Sequence, residues 1–146
     1  SLLPKSLGTP CFVVNGDLLT RVDIGEMLNF HERGGYGLTV GVKEYSNQLP
    51  FGVVLTDEDR VVGFQEKPSD TRLINTGIYV VSPDVVALVP SDRGFGMNEL
   101  IEKVIPMEDS PVGAFHIHEF WMDIGTVPDY QKAQWDYPEH FGDQSG

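Results

Sequence analysis

The sequence predicts an α/β fold with a mixed, largely parallel sheet and flanking helices. Two observations carry that prediction. Short apolar runs bounded by turn residues alternate along the chain with capped, helix-patterned stretches. Several of the runs are continuously apolar rather than alternating, as in strands covered on both faces. No internal repeat, low-complexity tract or linker divides the 146 residues. One domain over about residues 1–137 is therefore expected, with a tail over 138–146 that frays from Gly142.

The first strand is Cys11–Val14, an apolar run closed by Asn15-Gly16. A helix is expected next, so Asp17 would fall at the carboxyl end of a strand feeding a helix, the edge where open α/β sheets bind ligands. Asp23 with Glu26 three residues on is a capping-box start, and Gly34-Gly35 is a stop. Residues 38–42 (LTVGV) form a strand. Residues 52–55 and 61–64 form a hairpin around Asp57, Glu58 and Asp59. Residues 78–81 form a buried strand ended by Ser82-Pro83, with Ser82 as cap and Pro83 at the first helical position. A helix over residues 98–104 stops before Pro106, and residues 112–117 return as a strand. Thr126 and Asp129 open a last helix toward Trp135. Asp123 repeats the placement of Asp17, after a strand and ahead of Gly125 and a helix. Two carboxylates converging on one sheet edge would suit Mg²⁺ and leave room for substrate phosphates.

Composition narrows the function. Ten basic and 22 acidic residues leave a net charge of −12, which repels nucleic acid and anionic membrane. Any phosphate ligand must then be met by a metal ion or a few local cations. No apolar run approaches the length of a membrane span, and the N-terminal residues lack the pattern of a signal peptide. Cys11 is the only cysteine, and its apolar neighbours predict a buried thiol. A single cysteine forms no internal disulfide and fits a reducing, cytoplasmic setting.

Other motifs have competing readings. Asn15-Gly16 is also a hairpin signal, although the capped helix after it argues otherwise, and Gly16 would allow close approach beside Asp17. Glu66-Lys67-Pro68 reads either as a solvated charge pair before a proline or as a carboxylate for sugar hydroxyls beside an ammonium for phosphate. Asn75 either starts a turn or offers its amide to a polyol. His116 and His118 share a strand face, but no third ligand has metal-site spacing, which favours structural histidines. The stretch Gly34-Gly35-Tyr36-Gly37 follows a helix and opens a strand, the reverse of a phosphate-binding glycine loop.

In order, PCFVVNGDLLTRVD, PFGVVLTDEDRVVGFQEKP, INTGIYVVSP and FWMDIGTVPDY resemble successive motifs of the sugar-1-phosphate nucleotidylyltransferases. The resemblance is strongest to the mannose-1-phosphate guanylyltransferase-like branch and covers residues 1–135. It implies a Rossmann-like nucleotide-diphospho-sugar transferase fold. It also implies attack of a sugar-1-phosphate oxygen on the α-phosphorus of a nucleoside triphosphate, with pyrophosphate leaving. Asp17 and Asp123 would be the Mg²⁺ ligands and Lys67 would hold the sugar phosphate, these three being the catalytic set. Glu66, Asn75 and Gly52 would meet the sugar.

The family's opening glycine-rich stretch, which cradles the triphosphate, is not among these residues, and Leu3-Pro4-Lys5 does not replace its lysine pair. The chain therefore reads as a truncated, sugar-binding portion that is inactive alone or completed by another segment or partner. The alternatives are a non-catalytic module that binds a sugar-1-phosphate or a nucleotide sugar, and an interaction protein in which the motifs are relics. The family's first strands flank Cys11–Val14, so an exposed sheet edge covered by a second copy or another chain is expected.

Overall fold

The computed structural model describes residues 8–142. The Leu3-Pro4-Lys5 segment and the tail beyond Gly142 lie outside that range. Residues 8–42 and 75–142 belong to one compact unit, and Lys43–Ile74 form a second.

In the first unit a four-stranded mixed sheet takes the order β1 (Cys11–Val14), β6 (Ser69–Val81), β3 (Leu38–Gln48), β7 (Val112–His116). β1 pairs antiparallel with β6, and β3 pairs parallel with β7. Alternation along β6 explains how the sheet is covered on both faces. Tyr79 and Val81 pack with Leu38, Val85, Leu100 and Val104, the last three from α2 (Pro83–Val86) and α3 (Met97–Val104). Ile78 and Val80 turn the other way, onto Phe115, Ile117 and Met27 of α1 (Ile24–Gly34). Each fully buried side chain of this size contributes about 1.5–3 kcal/mol.

β1 departs from expectation. It is an edge strand whose residues are half-buried or exposed, so Cys11 is a half-buried thiol, with burial still raising its pKa. A continuous apolar run cannot by itself distinguish a central strand from an edge strand.

The helix ends follow the sequence closely. Asp23 caps α1 by accepting the Glu26 N–H at 2.8 Å. Gly35 ends it at φ +61°, a left-handed conformation that glycine adopts without strain. α1 also supplies a buried histidine that the sequence did not single out. His31 lies between Thr39 and Ser82, with Nδ1 2.9 Å from Thr39 Oγ1 and Nε2 2.9 Å from Ser82 Oγ. The Ser82 hydroxyl donates to the Tyr36 carbonyl, so Nε2–H must donate to Ser82, and in the neutral ring Nδ1 accepts from Thr39. Desolvation lowers the His31 pKa against a smaller opposing effect of Glu32, which favours the neutral form. α4 (Val127–Phe141) continues past Trp135.

The second unit holds the outer part of β3, the hairpin β4 (Val53–Asp57) and β5 (Arg60–Gln65), and the first residues of β6. The hairpin turns at Glu58-Asp59 and carries a register shift between Leu55 and Thr56. β3 and β6 run from one unit into the other. Their outer halves, KEYSNQ and SDTRLI, are polar and largely exposed, which is why only the apolar portions were legible as strands.

Candidate functional site

The two aspartates are brought together by a device absent from the sequence reading. β2 (Leu18–Thr20) and β8 (Trp121–Asp123) form a separate antiparallel ribbon that pairs Leu18 with Asp123 and Thr20 with Trp121. Asp17 therefore leads into a three-residue strand, not into a helix. Its carbonyl accepts the Ile124 N–H at 2.8 Å. A β-carbon placed on Gly125 would sit 3.0 Å from Asp123 Oδ1 and 3.3 Å from Asp17 Oδ2. The two carboxylates thus flank one point and are separated by no more than the sum of those distances. Asp123 Oδ1 accepts the Gly125 N–H at 2.8 Å. Both side chains are exposed, with oxygens left to offer a hard cation.

A cleft of about 600 Å³ adjoins the pair, lined by Asn15, Asn75, Tyr79, Trp121, Asp123 and the first turn of α3. Trp121 is held by its Nε1–H, which donates to the Thr76 carbonyl at 2.9 Å. With that donor used, the indole has only ring surface to offer a ligand. Asn75 Oδ1 accepts the Gly77 N–H at 3.0 Å, and its Nδ2 donates to the Tyr79 hydroxyl at 2.8 Å. Gly77 has φ +75°, and a β-carbon there would lie 2.5 Å from the Asn15 amide. The Asn15 N–H in turn donates to the Gly77 carbonyl at 2.9 Å. The two turns Asn15-Gly16-Asp17 and Asn75-Thr76-Gly77 are therefore locked to each other. Glu99, at the cleft, is engaged by Arg93 at 2.9 Å and by the Gly96 N–H. The Arg93 hydrogen bond pulls its carboxyl below the usual range.

Of the expected site residues, Asp17, Asn75 and Asp123 stand in the first unit, whereas Gly52, Glu66 and Lys67 stand in the second. Within the second unit, a β-carbon on Gly52 would run into the Phe64 ring and lie 3.3 Å from Glu66 Oε2. Lys67 has φ +43°, a left-handed backbone that costs a non-glycine residue roughly 1–3 kcal/mol. Bonds from Gln48 Nε2 to the Lys67 carbonyl and from Leu49 N–H to the Pro68 carbonyl hold it there.

Sequence reasoning missed Asn15, Tyr79, Trp121 and the α3 turn as cleft residues. The first three lay inside the quoted motifs, while the α3 turn gave no signal. His116 and His118 do share a face, with ring centroids 6.3 Å apart, but both are exposed rather than packed in the core. Phe115 and Ile117 take the buried positions between and beside them. Among the described residues, no group of three or more His, Cys, Asp or Glu side chains could hold a metal ion, and no helix is long and apolar enough to cross a membrane.

Together these features define an α/β domain with paired carboxylates beside a cleft of aromatic and amide groups. Residues 2–140 match the nucleotidyl transferase family, and the chain belongs to it, as a domain of the sugar-1-phosphate nucleotidylyltransferase type. It is 34% identical over 131 residues to "Probable mannose-1-phosphate guanylyltransferase 3" of Arabidopsis thaliana, covering 87% of this chain and 39% of that protein. It is 33% identical to "UTP--glucose-1-phosphate uridylyltransferase" of Synechocystis sp., covering 83% of this chain and 33% of the relative. Among solved structures, HddC from Yersinia pseudotuberculosis superposes with a TM-score of 0.60 at 26% identity, over 89% of this chain and 56% of that one. The chain thus spans between a third and two-fifths of the length of these curated relatives.

Proposed function

We propose that this chain is the sugar-phosphate-binding portion of a sugar-1-phosphate nucleotidylyltransferase, the enzyme class that joins a sugar-1-phosphate to a nucleoside triphosphate and releases pyrophosphate. The observation that carries the proposal is the cleft. An indole face, a fixed carboxamide and the Asp17–Asp123 pair combine the apolar platform, directed hydrogen bonds and metal-binding oxygens that a phosphorylated sugar requires. The carboxylates fit Mg²⁺, a hard cation that prefers oxygen ligands. Asp17 and Asp123 would hold it, and when bound it would neutralise phosphate charge. Trp121 and Asn75 orient the sugar ring. Glu66 is assigned to sugar hydroxyls, Lys67 to the phosphate, and Gly52 to backbone contact with the sugar.

These 146 residues contain no glycine-rich triphosphate cradle. Electrostatic stabilisation of the phosphates is usually the largest catalytic contribution, so the chain by itself is proposed to bind without turning over. Calorimetry with mannose 1-phosphate and glucose 1-phosphate, with and without Mg²⁺, tests the reading alongside a pyrophosphate-release assay with each nucleoside triphosphate. Mg²⁺-dependent binding without pyrophosphate release is expected, and Asp17→Asn or Asp123→Asn should remove the Mg²⁺ dependence. Sustained release by the pure chain would refute the inactive reading, and absence of any binding would refute the site. Pairing of the β1 edge with a second copy or another chain is the accompanying proposal, and a stable monomer by light scattering at high concentration would count against self-pairing.

A further inference from the structure

We infer that Tyr79 is a positioning residue that fixes the Asn75 carboxamide as a hydrogen-bond donor to a sugar hydroxyl oxygen. The inference rests on the sugar-phosphate reading of the cleft. The orientation of the amide follows from donor and acceptor accounting. The Gly77 N–H can only donate, so the atom 3.0 Å from it must be the carbonyl oxygen Oδ1. That places Nδ2 toward Tyr79, 2.8 Å from the phenol oxygen. One Nδ2 proton is then used, and the second has no acceptor among the described residues.

Tyr79 is well suited to this task. Its side chain is only 2% exposed, and its ring is locked in the core with Val40, Val81 and Leu100. The phenol oxygen is therefore a rigid acceptor at the cleft. Asn75 itself is exposed, and without that acceptor its amide would be held only by the Gly77 N–H. The cleft thus presents the second Nδ2 proton as a fixed donor, beside an indole whose N–H is already spent on Thr76. This pattern selects a ligand with a hydroxyl oxygen as acceptor at that point over one presenting only a donor.

Tyr79→Phe, made in the full chain, removes the phenol oxygen and keeps the ring in the core. Affinity should be measured for mannose 1-phosphate, glucose 1-phosphate and their monodeoxy analogues at each ring position, by calorimetry with Mg²⁺. Tyr79→Phe is expected to weaken binding of the parent sugars roughly threefold to tenfold, in line with loss of a net hydrogen bond. For one deoxy analogue the wild-type chain should also lose affinity, and the variant should lose little more. That selectivity separates positioning from a structural effect, which would weaken every ligand by the same factor. Equal weakening across the series, or unchanged affinity, overturns the inference while leaving the site reading intact. Failure of the wild-type chain to bind any of these sugars defeats the site reading and takes the inference with it. A second readout needs no ligand. The Asn75 side-chain amide protons should give two well-separated NMR resonances in the wild type that draw together in Tyr79→Phe, and unchanged resonances would also count against the role.

Discussion

Two antiparallel ribbons border most of the candidate site residues, and they are stabilised in opposite ways. The β2–β8 ribbon has three residues per strand, drawn from positions about a hundred residues apart. It has no turn of its own, and its stability is tertiary. Leu18 and Trp121 pack on the Met27–Ile78–Phe115 cluster, and Trp121 donates to Thr76. The β4–β5 hairpin is local and longer, and it is closed by its own turn. Its apolar residues face solvent, with Val61, Val62 and Phe64 more than 60% exposed. The first ribbon depends on the core, and the second depends on its turn and ladder.

The largest expected effect tests that dependence. Trp121→Ala should cost about 3 kcal/mol in chemical denaturation, combining lost packing with a lost hydrogen bond. Phe64→Ala, which truncates an equally aromatic but exposed residue, should cost about 1 kcal/mol or less. Similar costs for the two would erase the distinction between the ribbons.

This difference also governs what the sequence revealed. The hairpin was legible because its evidence is contiguous: two β-rich runs around a polar turn. The β2–β8 ribbon was not, since LLT and WMD are too short to carry periodicity and are strands only because each finds the other. Asp17 and Asp123 do lie close together, but at the β2–β8 ribbon rather than at the edge of the main sheet where the sequence reading expected both. The strands of residues 38–42 and 78–81 were legible for their apolar cores, whereas their polar outer halves carried no such mark. His31 escaped notice because an isolated histidine in a helix gives no hint that two hydroxyls wait for it at Thr39 and Ser82.

Two glycines sharpen the comparison. Gly77→Ala forces a side chain into a left-handed backbone against the Asn15 amide and should cost about 2–3 kcal/mol. Gly52→Ala meets only the exposed Phe64 ring, which can swing away, so its cost should be about 1 kcal/mol or less. Its effect should fall on sugar binding, if Gly52 gives the sugar access to backbone. A Gly52→Ala chain that unfolds as readily as Gly77→Ala would show that the hairpin is more tightly packed than its exposure indicates.

The buried side of the comparison also titrates. Burial lowers the pKa of His31 in the folded chain, whereas an unfolded histidine titrates near 6.5. The unfolded chain therefore binds more protons as pH drops below about 6.5. Stability from this group is complete above that value and is lost toward the lowered folded pKa, with a slope of at most about 1.4 kcal/mol per pH unit. His31→Gln should flatten that slope between pH 6.5 and 5 while leaving the exposed His116 and His118 in place. A slope that survives the substitution would move the titration to other groups.

The smallest effect belongs to the hairpin turn. Glu58 is the first central residue between Asp57 and Arg60 and sits at φ +48°, a conformation that costs an L-residue roughly 1–2 kcal/mol. Glycine adopts it freely but gives the unfolded chain more conformational entropy, which returns about 0.4–1 kcal/mol of the gain. Glu58→Gly should therefore stabilise the chain by about 0.5 kcal/mol, a rise in melting temperature of one or two degrees at this size. The gain is expected only if the hairpin unfolds together with the core. If the hairpin opens first, the same substitution should leave global melting unchanged and instead slow amide exchange along β4 and β5. Hydrogen exchange on the two variants Glu58→Gly and Trp121→Ala would then show whether the two ribbons belong to one cooperative unit or to two.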